Sequence, residues 1–468
     1  MVAGLETPRS VGRRVAIVGA GLAGVAAACE LADRGFAVTL LERRPFAGGK
    51  TYSFAHTASG AEVDNGQHVI LNCCTAYRDF LRRLGQSEAV RHQRRLDVVI
   101  MSMGRPAHLA ARPWPAPFHL LPSLLGYQHL SPRERLRAVW GALHMLRTDE
   151  RTPGLDDQPF AAWLRRHGQT PELIQRLWDV IVVATLNGRC EEVSAAAALM
   201  VLRTGFLRST TGGGIGVPSV PLSALHVEPA LCYLQQRGAE FLTRAAVRSV
   251  HVEDGAVVGL SLADGASIEA SACVLATPPS ATLKLLPHPW RDHPFFDPIG
   301  RIRSAPIVNV HLWYERPVID LPFVAFVDDD LQWAFNTSLL HGERLPGQHL
   351  TLSLSAAQRY MSLEKREIIE RLASALGRIF PAARGNRLVQ AVVIKEPDAT
   401  FLPEPGAGRR RPGPATPIAG LFLAGAWTDT GWPATMESAV RSGMACAQAV
   451  GERLSAAGPP IRVAAAAV

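Results

Sequence analysis

Residues 15–42 read VAIVGAGLAGVAAACELADRGFAVTLLE. The run Val15-Ala-Ile-Val18 is short and apolar, as a strand buried on both faces of a parallel sheet must be. It leads into Gly19, Gly21 and Gly24 in GxGxxG spacing. A helix is expected from Leu22 to Arg34, with Leu22, Val25, Ala26, Cys29 and Ala32 on one face and Gly35 at its C-cap. Ala37 to Leu41 reads as a second strand that ends at Glu42. Three glycines alone are a weak signal. Between a strand and a helix, with an acidic residue about 20 positions on, they describe a dinucleotide-binding βαβ unit. Gly19 makes the tight turn, Gly21 admits a pyrophosphate to the backbone, and Gly24 lets helix and strand approach. The phosphates then meet the free N–H groups of the helix N-terminus, and Glu42 can accept both ribose hydroxyls.

Three further segments narrow the ligand. Gly48-Gly49-Lys50 reads either as an ordinary turn or, with Glu42 just upstream, as the segment of flavoproteins of the glutathione-reductase type in which a basic residue after GG lies by the pyrophosphate. Asp64-Asn65-Gly66-Gln67-His68 is a polar cluster between apolar runs, either a surface turn or backbone brought to a flavin ring. Near the C-terminus, LFLAGAWTDTGWPATMESA (421–439) reads as strand, turn and helix. Met436, Ala439, Val440, Gly443, Met444 and Ala447 share one helical face, which by itself says only that the helix is buried. Its N-terminus can aim free N–H groups at a flavin carbonyl.

The chain has 468 residues, 47% hydrophobic and only 19% charged, which excludes a disordered or collagen-like protein and allows a large core. Such a length suggests two or three domain-sized units. Net charge is +8, almost all of it from arginine, because Lys50, Lys284, Lys365 and Lys395 are the only lysines. The arginines are scattered pairs rather than a stripe with aromatic partners, so no nucleic acid is expected. The excess suits either an ordinary solvated surface or an anionic membrane face. Seven cysteines without CxxC spacing support neither a disulfide framework nor a zinc site, and a reducing cytosol is expected. Residues 1–14 hold no signal peptide, and no stretch approaches about 18 continuous apolar residues.

Further along, residues 75 to 205 read as mainly helical, interrupted by the proline-broken apolar segment 113–126. Thr210 to Gly216 reads as a mobile glycine-rich loop or linker, 245–276 and 305–355 as strands, Glu364 to Phe380 as an amphipathic helix, Arg409 to Pro414 as a basic loop, and 464–468 as a frayed tail.

Together these pieces resemble the FAD-dependent amine oxidase and phytoene desaturase superfamily. Within it, the chain is similar to the squalene-associated FAD-dependent desaturases, the hydroxysqualene dehydroxylases of bacterial hopanoid pathways. The resemblance spans about residues 14 to 452. It is carried by VAIVGAGLAG (15–24), GGKTYSF (48–54), DNGQHV (64–69), PAPFHLLPSLLGYQHLSPRERLR (115–137), TLNGRCEEVSA (185–195), PIVNVHLWYERPV (306–318), QWAFN (332–336) and LAGAWTDTGWPATMESAVRSG (423–443). It implies an α/β fold: a discontinuous Rossmann-like FAD-binding domain of glutathione-reductase type, with an inserted mixed α+β substrate domain and a helical portion. The FAD-binding pieces would be 1–72, 225–290 and 392–468; the substrate-binding pieces, 73–224 and 291–391. The FAD contacts it implies are Gly19, Gly21, Leu22, Gly24, Glu42, Arg43, Gly48, Gly49, Lys50, Gly66, Gln67, His68, Val247, Thr277, Gly425, Ala426, Thr435 and Met436. The chain departs from the family at Ala426, where an acidic residue is usual, and at Lys50, where arginine is commoner.

The activity implied is replacement of an allylic C–OH of hydroxysqualene by C–H, with hydride from reduced FAD and an acid helping water leave. Candidate acids are His68, Asp64, His311 and Asp429. The partners implied are a C30 isoprenoid lipid, an unidentified electron donor for FAD, and the inner face of a bacterial membrane, where the protein would lie peripherally from the cytoplasm. In 307–313, Val308, Val310 and Leu312 alternate with Asn309, His311 and Trp313, giving two faces that serve a lipid tunnel or plain core and surface alike. Segment 113–130, with Trp114 and Tyr127, is either a membrane-facing lip or a packing loop. The alternatives are a carotenoid desaturase running the flavin in the oxidising direction, an amine oxidase, and a prenyl-lipid escort protein without flavin chemistry.

Overall fold

The computed structural model describes residues 14–56, 62–327, 330–342 and 347–456. The readings of the first thirteen residues and of the tail lie outside them. The opening βαβ unit forms as its sequence dictates. Strand Arg14–Val18 pairs in parallel with Ala37–Leu41 on one side and with Ala272–Leu275 on the other. Glu240–Leu242 and Leu421–Leu423 complete a five-stranded parallel sheet at its edges. Strands from four distant stretches of chain therefore end side by side, and the turn after the first strand lies where they converge. The short β-branched and leucine runs are those of strands covered on both faces.

Helix Leu22–Asp33 covers one face of the sheet. Nine of its 12 residues are buried, far more than one amphipathic stripe. The closing helix, Met436–Ala456, packs across it. Glycine makes this crossing possible: a Cβ on Gly443 would lie 2.5 Å from the carbonyl oxygen of Ala23.

A second, seven-stranded sheet has the order 388–401, 304–314, 348–354, 333–336, 323–326, 97–102, 105–110. Helix Lys365–Ile379 packs on one face of its centre, against Val308, Val310 and Leu312. A helical lobe built from 132–147, 160–166, 171–186 and 195–207 encloses a separate apolar core.

Two expectations are corrected here. Residues 75–205 are less helical than their composition suggests, because Asp97–Ser102 and Arg105–Ala110 form a hairpin that joins the second sheet. Val98, Val99 and Ile100 are β-branched, but the strands are too short to show a period. The glycine-rich stretch after Thr210 is no mobile linker. Residues 212–217 are buried, and Ile215–Pro218 is a strand paired with both 70–71 and 90–92. Its glycines serve close packing: a Cβ on Gly214 would meet Asn72 Nδ2 at 2.4 Å, and one on Gly216 would meet the His92 ring at 2.5 Å.

Candidate active site

The turn at residues 19–24 is held by sterics on every side. Gly19 has φ +104°, and a Cβ there would lie 2.6 Å from the carbonyl oxygen of Ala276. The pair Gly48-Gly49 returns to this turn. The Gly48 N–H donates to Ala20 O at 2.8 Å, and Gly21 and Gly48 form a parallel bridge. Gly49, at φ +61°, could carry no Cβ, which would sit 2.7 Å from Gly21 Cα. The two glycine motifs, about 25 residues apart in sequence, thus form one side-chain-free cradle.

Glu42 is buried beside the cradle. Its Oε2 accepts the Ala20 N–H at 3.0 Å, and its Oε1 accepts the Arg44 N–H at 2.9 Å. Its own backbone continues the site: Ala245 N–H donates to Glu42 O at 2.9 Å, which brings the chain leading to Val247 alongside. Val247 packs with Val18 and Leu41. Thr277 follows the strand opposite Gly19, and its carbonyl accepts the Trp427 Nε1–H at 2.9 Å. Leu22 is buried as the first helical residue.

The two arginines after Glu42 differ in placement. Arg43 is exposed. Its neighbour Arg44 turns inward, donates to Gly49 O at 2.7 Å and lies over the rings of Phe46 and Tyr52. Lys50 Nζ reaches Ala399 O at 3.2 Å, and burial lowers its pKa.

The loop 64–68 lies over the cradle's far end. The Asp64 carboxyl is buried, and its Oδ1 accepts from Ser53 Oγ at 2.7 Å and from Leu222 N–H at 2.9 Å. Burial outweighs these bonds and raises its pKa to about 6. Asn65 donates through Nδ2 to Lys50 O at 2.9 Å and so ties the loop to the GGK turn. A Cβ on Gly66 would lie 2.1 Å from Asn309 Nδ2. Gln67 Nε2 is buried without a protein partner. The His68 Nδ1–H donates to Gly66 O at 2.9 Å, and burial keeps the ring neutral.

Strand Ser304–Tyr314 supports this loop with its polar face. Asn309 Nδ2 donates to Asn65 O at 3.2 Å, and His311 Nε2–H donates to Asp64 O at 3.1 Å. His311 Nδ1 accepts from His349 or Thr351, at 3.0 and 3.1 Å. Burial lowers the His311 pKa to about 3, so it is neutral with both nitrogens committed to protein. This corrects its place among the candidate acids: it braces the loop. Asp429 is also separate from the other three. It is exposed, and its carboxylate closes a local turn on the Gly431 N–H at 3.2 Å.

Two buried relays escaped the sequence reading. Tyr77 OH donates to His226 Nδ1 at 3.1 Å, His226 Nε2–H donates to Thr51 Oγ1 at 2.9 Å, and the Thr51 hydroxyl donates to Gly48 O at 2.9 Å. The His226 pKa falls to about 3 by burial, which fixes it as the neutral relay. Glu437, on the first turn of the closing helix, accepts the N–H groups of Ala76 and Tyr77 at 3.1 and 2.8 Å and pairs with Arg441 at 2.7 Å.

The loop leading into that helix is held by Arg411. It donates to the carbonyls of Ala426, Trp427, Thr428 and Trp432, and lies over the Phe401 ring. Gly425 has φ +149° and space for no side chain, with Trp427 Nε1 2.5 Å from its would-be Cβ. Thr435 caps the helix through its hydroxyl on the Ser438 N–H at 3.2 Å, and Met436 is the first helical residue. Ala426 offers only its backbone here, to Ser438 Oγ at 3.0 Å. No sequence signal marks Arg411, Glu437 or His226, because the role of each is set by partners outside its own local element: backbone carbonyls for Arg411, backbone N–H groups for Glu437, and the Tyr77 and Thr51 hydroxyls for His226.

These residues fit FAD. A Cβ on Gly19 or Gly49 would clash within the cradle, the buried Glu42 carboxylate ends the second strand beside it, where a ribose would be held, and the buried Gln67 amide has no protein acceptor. Fold and cradle thus define a flavin-dependent oxidoreductase. The chain belongs to the flavin containing amine oxidoreductase family, whose profile matches residues 22–451. It is 28% identical to a probable zeta-carotene desaturase of Synechococcus elongatus, over 93% of this chain and 98% of that protein. It is 26% identical to the 15-cis-phytoene desaturase of the same organism, over 93% and 95%. Solved structures share the fold: an oxidoreductase from Methanosarcina mazei superposes with a TM-score of 0.71 at 20% identity, covering 92% of this chain and 99% of that one. Cyclohexylamine oxidase from Brevibacterium oxydans does so with a TM-score of 0.70 at 19% identity, covering 95% and 100%. The two desaturases are named for carotenoids, and the hydroxysqualene reading gains no support from them.

Asp64 offers a direct test of the loop's electrostatics. Its folded pKa is raised, so its favourable contribution is present below about pH 4 and lost as pH rises through about 6. Asp64→Asn keeps both accepted hydrogen bonds without the charge. Its stability advantage over wild type should grow from near zero at pH 4 to about 2–3 kcal/mol at pH 8. Urea midpoints across that range check this; a gap independent of pH would show that the carboxyl is not desolvated.

Proposed function

We propose that this chain performs flavin-dependent two-electron chemistry on a long linear isoprenoid, in the direction of carotenoid-type desaturation. The observation that carries it is the relationship to zeta-carotene and phytoene desaturases along nearly the full length of both partners. The site's electrostatics agree. His68, His226 and His311 are kept uncharged by burial, and the Asp64 carboxyl is pushed toward its neutral form. Such surroundings suit an uncharged hydrocarbon better than a polyammonium substrate.

Bound FAD supplies hydride transfer between its ring and the substrate carbon. The chain's part is to hold the pyrophosphate on the 19–24 and 48–49 glycines and the ribose on Glu42. The brace from Asn309 and His311 fixes the 64–68 loop, and the surrounding apolar residues exclude water. Asp64 and His68 are the remaining candidates to hold a proton near the reacting atoms.

Reductive dehydroxylation of hydroxysqualene is a second reading, favoured by the motifs at 115–137, 185–195 and 423–443. Product analysis separates the two. The purified yellow protein would be given phytoene or zeta-carotene with a quinone acceptor, and separately hydroxysqualene with a reductant. A longer conjugated polyene from the first incubation, and no squalene from the second, is expected. Squalene without new double bonds would overturn desaturation in favour of dehydroxylation. Peroxide from a polyamine would overturn both, as would a colourless lipid-binding protein.

A further inference from the structure

Cys29, Cys190, Cys273 and Cys446 are buried, and burial pushes their thiols up, away from the reactive thiolate form. Cys232 is exposed on the helix Glu228–Gln235. Cys73 and Cys74 differ from all of these: they are adjacent in the chain and both partly exposed. The pair stands between the 64–68 loop and the helix Thr75–Arg83, for which Cys74 is the N-cap. Its side chain makes no capping hydrogen bond, so a thiol occupies a position where Ser, Thr, Asp or Asn would serve the helix better. The Cys73 N–H donates to Gly212 O at 3.0 Å, and Gly205 lies opposite its sulfur, with 3.9 Å between Sγ and a would-be Cβ. No side chain from position 205 therefore covers that sulfur. A hydrogen bond from the Cys74 thiol lowers the Cys73 pKa; the same bond, with burial, raises that of Cys74 well above the usual thiol value. One sulfur is prepared as a nucleophile and its neighbour is kept protonated beside it.

The helix these cysteines precede holds the FAD site at two points. The Ala76 and Tyr77 N–H groups donate to Glu437 on the first turn of the closing helix. The Tyr77 hydroxyl begins the relay through His226 and Thr51 to Gly48 O in the glycine cradle. Consecutive Cα atoms are about 3.8 Å apart, below the roughly 4.4–6.8 Å that a disulfide ordinarily spans. Joining the two sulfurs must therefore twist the backbone at 73–74. The bonds in the way of that twist seat the helix: Cys74 N–H to Leu71 O at 2.9 Å, Thr75 N–H to Cys73 O at 3.0 Å and Arg78 N–H to Cys74 O at 3.2 Å.

We propose that Cys73 and Cys74 form a reversible oxidation site for hydroperoxides, and that closing their disulfide weakens the protein's hold on FAD. The Cys73 thiolate attacks the terminal peroxide oxygen. The O–O bond breaks, the departing oxygen takes a proton and leaves as water or an alcohol, and Cys73 becomes a sulfenic acid. The Cys74 sulfur then attacks the Cys73 sulfur. The S–O bond breaks, and hydroxide leaves as water with the proton that Cys74 gives up. Two thiols are oxidised by two electrons and one hydroperoxide is reduced by two. A dithiol reverses the step by exchange. Oxidant thus releases cofactor until a reductant restores the pair, the transient use of a disulfide that a reducing compartment permits. None of this depends on which substrate the flavin serves.

The test treats the FAD-loaded protein with hydrogen peroxide, blocks free thiols with iodoacetamide and maps the peptides by mass spectrometry. The peptide holding both cysteines should lose two hydrogens and take up no alkyl group, and dithiothreitol should restore both thiols. FAD release, followed by flavin fluorescence, should be roughly fivefold faster or more in the oxidised protein, as expected when hydrogen bonds that seat the helix are lost. Cys74→Ala should stop at a sulfenic acid that dimedone traps on Cys73, with FAD release unchanged by peroxide. Cys73→Ala should form no disulfide. Should either variant fail to fold, the wild-type mapping and release measurements decide alone. Both thiols free after peroxide overturns the proposal. So does a bond from either cysteine to Cys232 or to a second chain, and so does a closed 73–74 disulfide that leaves FAD release unchanged.

Discussion

Gly24→Ala should abolish soluble holoprotein. A Cβ at this position would lie 2.0 Å from the carbonyl oxygen of Gly19 and 3.1 Å from Ala276 Cβ. The first contact is to backbone of the turn itself, so no side-chain rotation relieves it. Either the helix Leu22–Asp33 moves off the strand or the turn opens. In both cases the packing of this helix against the sheet and the closing helix is lost together. The expected cost exceeds about 4 kcal/mol, the range of severe core lesions. Gly451→Ala is the control. It lies in the closing helix, where its Cβ would meet nothing nearer than an Arg34 guanidinium at 3.6 Å, so it should be neutral or stabilising by about 0.5–1 kcal/mol. Soluble yield, flavin absorbance and melting temperature compare the two. A Gly24→Ala protein with wild-type values would mean that helix and strand are not in contact at this point.

Arg411→Met should be the next most damaging change, and it falls on a residue that sequence motifs leave anonymous. The guanidinium gathers the backbone carbonyls of residues 426, 427, 428 and 432, and burial lowers its pKa to about 10 without neutralising it. Methionine keeps much of the stem's packing over Phe401 but leaves those carbonyls unpaired. The loss expected is about 3 kcal/mol. The loop it holds leads directly into Thr435 and Met436 at the start of the closing helix, so FAD affinity should fall at least tenfold as well. Arg411→Lys should recover only part of both, because an ammonium cannot span four acceptors as a planar fork does. Calorimetry and flavin titration of the two variants test this; wild-type melting and affinity in Arg411→Met would remove the clamp from the account.

The dinucleotide half of the site was legible because its rules are local. Gly19, Gly21, Gly24 and Glu42 occupy one βαβ unit, and each is required by a turn, a close approach or a strand end that the neighbouring residues already specify. Gly48, Gly49 and the strand–turn–helix at 421–436 were legible for the same reason. Other readings failed where the deciding partner is remote. Thr210 to Gly216 looked mobile because glycine permits mobility; its glycines instead make room for Asn72 and His92. Tyr127 left a membrane-facing lip and a packing loop equally open; it is fully buried and donates to Arg176 O at 2.9 Å. Arg43 and Arg44 are indistinguishable as a pair until Gly49 is placed beside one of them.

The sequence by itself determined a dinucleotide fold, an FAD site and a lipid-leaning composition. The tertiary structure decided which polar groups serve that site. His311 became a neutral brace, Asp429 a surface turn, and Asn309, His226, Arg411 and Glu437 the residues that hold the cradle's loops in place. Backbone conformation and period are short-range properties that a few neighbouring residues fix. Protonation state and hydrogen-bond role depend on burial and on partners tens to hundreds of positions away, and those exist only once the chain has closed on itself.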